Sequence, residues 1–154
     1  MPRFTLNGTE VAPEIEPEAP LLAALRGPLG LSGPRFGCGA EACGACVVLV
    51  DGAPAFACTL PVSAAAERVV ETVEGLGTPD RPHPLQHAFL ELQAGQCGYC
   101  LSGIMMAAAA LLRRSPHPAE GEVRAALEPH LCRCGAHNRI LRAVLRAAEE
   151  GAPA

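Results

Sequence analysis

The chain has 154 residues, a formal charge of −4 at pH 7 and only five aromatic side chains, a length that suits one domain or two small ones. An acidic balance with no basic stripe and no stacking platform excludes nucleic acid as a partner. The longest apolar run, Ile104 to Leu112, is nine residues long against the roughly 20 that cross a bilayer, so no membrane span is expected.

In chain order the first signals are β-like. Arg3 to Leu6 runs into an Asn7-Gly8 turn and then Thr9 to Ile15, the pattern of a hairpin. Met1 to Asn7 has no charged n-region followed by an apolar h-region, so a cytoplasmic location is expected. Pro20 opens a short helix over Leu21 to Arg26. A second hairpin follows, Cys46 to Val50 turning at Asp51-Gly52 into Ala53 to Ala57, and Arg68 to Val73 reads as one more strand. Strands interrupted by a helix make this an α+β unit.

Near Gly75 the periodicity changes. Gly75 to Pro84 holds two glycines and three prolines, which is linker composition. Beyond it Leu85, Phe89 and Leu92 share one helical face, Val123, Ala126 and Leu127 another, and Ile140, Leu141, Val144, Leu145 and Ala148 a third. Ile104 to Leu112 reads as a buried helix. The expected division is 1–76 for the strand-rich domain and 77–154 for the helical one.

The eight cysteines fall four to each half: Cys38, Cys43, Cys46 and Cys58, then Cys97, Cys100, Cys132 and Cys134. In the first quartet four, two and eleven residues separate successive members, and the first two gaps are the plant-type spacing for a 2Fe-2S cluster. Four thiolates complete one such cluster. A disulfide framework also uses an even count but belongs to small secreted chains, and structural zinc could close on Cys97-x-x-Cys100 with Cys132-x-Cys134. Against zinc, three cysteines within nine residues are interleaved with Gly37, Gly39 and Gly44. That composition describes a loop wrapped around something larger than one ion, with backbone N–H groups near sulfur.

Both pairs of the second quartet precede helices, which places them near positive helix ends that favour an anionic cluster. Arg133 reads equally as a further positive charge there or as a surface guanidinium. Cys134 and His137 have a Rieske-like gap without the matching Cys-x-His, so His137 reads as structural. Tyr99 reads as a packing residue. His83, His87, His117 and His130 show no ligand spacing and read as surface or capping residues. Glu149 and Glu150 read as a solvated helix terminus.

Taken together, Gly37-Cys38-Gly39-x-x-x-Cys43-Gly44-Ala45-Cys46, Gln96-Cys97-Gly98-Tyr99-Cys100 and Leu131-Cys132-Arg133-Cys134-Gly135 resemble the iron–sulfur subunit of the molybdenum hydroxylases, the xanthine oxidase and aldehyde oxidase family. The resemblance spans almost the whole chain. It implies a β-grasp plant-type ferredoxin domain followed by an all-α four-helix domain, each with one 2Fe-2S cluster. It further implies an electron-transfer subunit of an oxidoreductase, with no catalytic site on this chain. Electrons would come from the molybdopterin cofactor of a large partner subunit through the second quartet, and leave through the first to a flavin subunit or a cytochrome. Gln96 matches the family position that contacts the pterin; the alternative is an amide tying its own loop. Many relatives have Thr-Pro-Gly after the second cysteine of the Cys-Gly-x-Cys pair. Here Leu101-Ser102-Gly103 leans toward the bacterial branch that oxidises N-heteroaromatics such as isoquinoline or nicotinate. A self-standing two-cluster ferredoxin is the alternative function.

Overall fold

A computed structural model describes residues 1–151. Strands β1 (Phe4–Leu6) and β2 (Thr9–Val11) form the first hairpin, with Asn7 and Gly8 both at positive φ, 48° and 84°, as a tight turn between twisted strands requires. β2 stops well short of Ile15. Pro13 has no N–H to give to a ladder. Helix α1 covers Leu21–Arg26. The second hairpin joins β3 (Val47–Val50) to β4 (Ala53–Phe56) in antiparallel register, and β5 covers Val69–Glu71. This last strand ends before Thr72, whose N–H goes instead to the Asn7 side chain at 2.9 Å.

The five strands form one mixed sheet in the order β2-β1-β5-β3-β4, with β1 and β5 parallel and the remaining neighbours antiparallel. All four residues of β3 are buried, because side chains alternate between two covered faces. Val48 and Val50 point into a cluster with Phe4, Leu6, Leu21, Leu25 and Val70. Val47 and Leu49 point the other way, onto Met106 and Ala110.

Those last two residues belong to the helical half. It contains α2 (Pro84–Glu91), α3 (Leu101–Arg114), α4 (Glu120–Leu127) and α5 (His137–Glu150), so the chain is α+β with four helices following the sheet. A capping box starts α2: the His83 ring accepts from the Leu85 N–H, and the Gln86 side chain accepts from the His83 N–H. Gly151 ends α5 in the left-handed conformation. Leu85, Phe89, Ile104, Leu111, Val123, Ile140 and Val144 meet in the core of this half.

The two halves are packed together. Burial of Leu49 and Met106 in the cluster they share contributes on the order of 1.5–3 kcal/mol per side chain. Beside them Arg113 donates two hydrogen bonds to the Glu71 carboxylate, at 2.9 and 2.8 Å. Gly103, in the first turn of α3, lies so close to the Gly44 carbonyl that a Cβ would have no room. Among the described residues no helix is long and apolar enough to cross a membrane.

Candidate metal centres

The first quartet is assembled by one long loop and the end of one strand. Cys38 and Cys43 flank a turn in which Gly39 and Glu41 both have positive φ. Cys46 immediately precedes β3, and Cys58 lies two residues beyond β4. The turn directs backbone N–H groups at sulfur: Ala40 and Ala42 donate to Cys38 Sγ at 3.3 and 3.1 Å, and Cys38 N–H donates to Cys43 Sγ at 3.4 Å. The Ala40 and Ala42 donors hold the Cys38 thiol down at about 7. Burial pushes its neighbour Cys46 up to about 12, with the Cys58 thiol in hydrogen-bonding contact.

The second quartet repeats this pattern on helices. Cys100 immediately precedes α3 and Cys134 lies three residues before α5, so the helix-end placement expected from the sequence is present. Cys97 contacts Cys134, and hydrogen bonding from the Tyr99 backbone, followed by that contact, lowers the Cys97 thiol. Cys100 contacts Cys132, and burial raises the Cys100 thiol to about 12.

The thiols of each quartet lie close enough to act on one another's protonation: Cys46 feels Cys58 and Cys43, and Cys100 feels Cys132 and Cys97. None is bridged. A single zinc would draw four sulfurs to about 3.8 Å from one another, given Zn–S bonds of about 2.3 Å. Among the described residues no three thiols gather within 4.8 Å of one another. Two irons joined by sulfides ask for two sulfurs each and a wider gap between the pairs. The donor set also fits, since a thiol that burial leaves protonated becomes a ligand only when a cation takes the proton's place.

The two cysteine loops touch. Leu131 N–H donates to the Cys43 carbonyl at 3.0 Å. Arg35 donates from Nη1 to the Gly98 carbonyl at 2.7 Å, and its guanidinium lies 5.2 Å from the Tyr99 ring centroid. The Tyr99 hydroxyl donates to the Phe36 carbonyl. Tyr99 is therefore half-exposed and bridging, beyond the packing role expected of it. Gln96 is exposed and borders a groove of about 930 Å³ with Gln93, Phe89, Met105 and Arg139. Arg133 is exposed, as is His137.

One expectation needs correction. His130 is a core residue, 5% exposed; its ring packs on Gly44 in the other half, a contact that no local pattern encodes. Burial pushes its pKa down to about 4. His87 lies on the surface as expected, with its Nδ1 3.3 Å from Glu150 and Glu91 beside them. Glu149 and Glu150 end α5 on the surface as expected, and Arg146 reaches the Glu91 and Glu150 carboxylates at 3.4 Å. Antiparallel packing of α2 against α5 joins residues that are 63 positions apart. Sequence reasoning also passed over Arg35, which lies three residues before Cys38 but has its partners 63 positions away.

Two family models match. A 2Fe-2S iron-sulfur cluster binding domain covers residues 4–70, and a 2Fe-2S binding domain covers 72–145. A nicotinate dehydrogenase subunit of Pseudomonas putida is 51% identical over 144 residues, covering 94% of this chain and 92% of that one. The alpha subunit of isoquinoline 1-oxidoreductase from Brevundimonas diminuta is 47% identical over 153 residues, 99% of this chain and 100% of its own. Among solved structures, quinoline 2-oxidoreductase from Pseudomonas putida 86 superposes with a TM-score of 0.91 at 36% identity, covering 96% of this chain and 92% of that one.

Proposed function

Because the chain belongs to the family of iron–sulfur subunits of the molybdenum hydroxylases, we propose that it carries electrons for such an enzyme from a large molybdopterin subunit to an external acceptor. Cys38, Cys43, Cys46 and Cys58 hold one 2Fe-2S cluster, and Cys97, Cys100, Cys132 and Cys134 hold the other. When bound, the two clusters supply one-electron carriage between a two-electron oxidation and the acceptor. The observation that carries this reading is that eight free thiols fall four to each of two 2Fe-2S binding domains.

The chain's own residues hold and orient those centres. The Ala40 and Ala42 N–H groups support the charge on Cys38, and Cys100 stands at the N-terminal end of α3, whose dipole favours an anionic centre. Gln96, exposed at the rim of its groove, offers its amide to the pterin of the partner. The substrate class is an N-heteroaromatic acid or ring, by analogy with the nicotinate and isoquinoline enzymes. The acceptor is a flavin subunit or a cytochrome docked beside the first quartet. A reducing cytoplasm is the setting in which eight thiols stay available as ligands. We place the domain edges at 1–76 and 77–154.

The test is compositional. Isolated anaerobically with its partner, the chain should carry four irons and four acid-labile sulfides and give two distinct paramagnetic signals on reduction. Stoichiometric zinc from iron-replete cells would overturn the assignment.

A further inference from the structure

Arg35 belongs to the loop of the first cysteine quartet, yet its contacts are with the second. Its Nη1 donates to the carbonyl of Gly98, between the ligands Cys97 and Cys100, at 2.7 Å. The guanidinium covers the ring of the next residue, Tyr99, whose hydroxyl reaches back to the carbonyl of Phe36. Two consecutive residues of one loop thus clasp two consecutive residues of the other. Gly98 has a φ of 78°, and its carbonyl is aimed across the junction.

We propose that Arg35 is an electrostatic and positioning residue for the centre held by the second quartet, keeping its reduction potential above what the helical half alone would set. This rests on the assignment of 2Fe-2S clusters made above. Reduction adds one negative charge to an already anionic centre. A fixed cation near one of its ligands stabilises the reduced form more than the oxidised form, so the potential rises. Arginine suits the task because it does not deprotonate, and its planar fork both hydrogen-bonds and stacks. Tyr99 and the Gly98 carbonyl fix the guanidinium from two sides, so the charge does not wander as a surface arginine does.

The measurement is a redox titration of the assembled, iron-replete complex, following the two cluster signals separately by paramagnetic resonance. Arg35→Gln should shift the second-quartet potential to more negative values, by more than any shift at the first quartet. Arg35→Lys keeps the charge without the fork and should restore most of the loss. Tyr99→Phe removes the hydroxyl contact but leaves the charge, and should move the second potential less than Arg35→Gln does. Equal potentials in wild type and Arg35→Gln, or a larger shift at the first quartet, would overturn the proposal. So would an Arg35→Lys protein as far displaced as Arg35→Gln, because the residue would then act through packing alone. A preparation without two irons at the second quartet defeats the cluster assignment itself, and iron and sulfide counts identify that case separately.

Discussion

His83 accepts a hydrogen bond from the Leu85 N–H through Nδ1 at 3.1 Å, at the start of α2. Only the neutral ring has that lone pair. Burial, and after it the charge of Arg113, hold the His83 pKa below its ordinary value of 6.5. The unfolded chain therefore takes up this proton first, and stability rises with pH in that range. The contribution of the cap is complete above about pH 6.5 and is lost as pH falls below it toward the folded-state pKa. Asparagine caps helices without titrating. Denaturant unfolding of the wild type and of His83→Asn at pH 7.5 and pH 5.5 should show a larger acid-side loss in the wild type. Equal losses would mean that the ring is not a titrating cap. The capping role was readable from His83 standing before Pro84 and three residues before Gln86, but its burial was not.

At the level of elements, α3 joins the halves. Met106 is 1% exposed and touches Val47 and Leu49 of β3, so Met106→Ala should cost about 2–4 kcal/mol. Native-state hydrogen exchange should report lost protection in β3 and α3 together. If the α3 amides alone respond, the shared cluster is not a mechanical joint. The nine-residue apolar run within α3 was legible as a buried helix, and the two hairpins were legible from Asn7-Gly8 and Asp51-Gly52. The β1–β5 pairing was not, because parallel neighbours 64 positions apart, such as Thr5 and Val69, leave no local trace. Nor was the partner of α3. Its Met106-Ala110 stripe looks like any other core face until β3 is placed beneath it.

Across the whole molecule the charge is unevenly shared. Residues 1–76 carry four arginines against nine acidic groups, whereas 77–154 carry eight against seven. The Glu71–Arg113 pair runs along that division. Each quartet closes a loop within its own half, so metal binding is folding free energy for both halves. Removing iron with a chelator under reducing conditions should lower the melting temperature as a single cooperative transition, because the cluster of Val47, Leu49, Met106 and Ala110 ties the halves together. Two separated transitions would show that they melt independently at the proposed edge. The cysteine quartets were the most legible part of the site, since ligand spacing is local. The contacts between their loops were the least, since Arg35, Tyr99, His130 and Gly44 meet only after both halves have folded.

The contact of Gly103 with the Gly44 carbonyl sets a length as well as a fit. Backbone meets backbone there, with no side chain between the first turn of α3 and the loop that carries Cys43 and Cys46. Tunnelling between redox centres weakens steeply with every added ångström, so these two glycines work as a gauge block for the gap between the cysteine loops. A methyl group on Gly103 would act as a shim, pushing the turn that follows Cys100 away from the loop of Cys43 and Cys46 and lengthening the electron's jump.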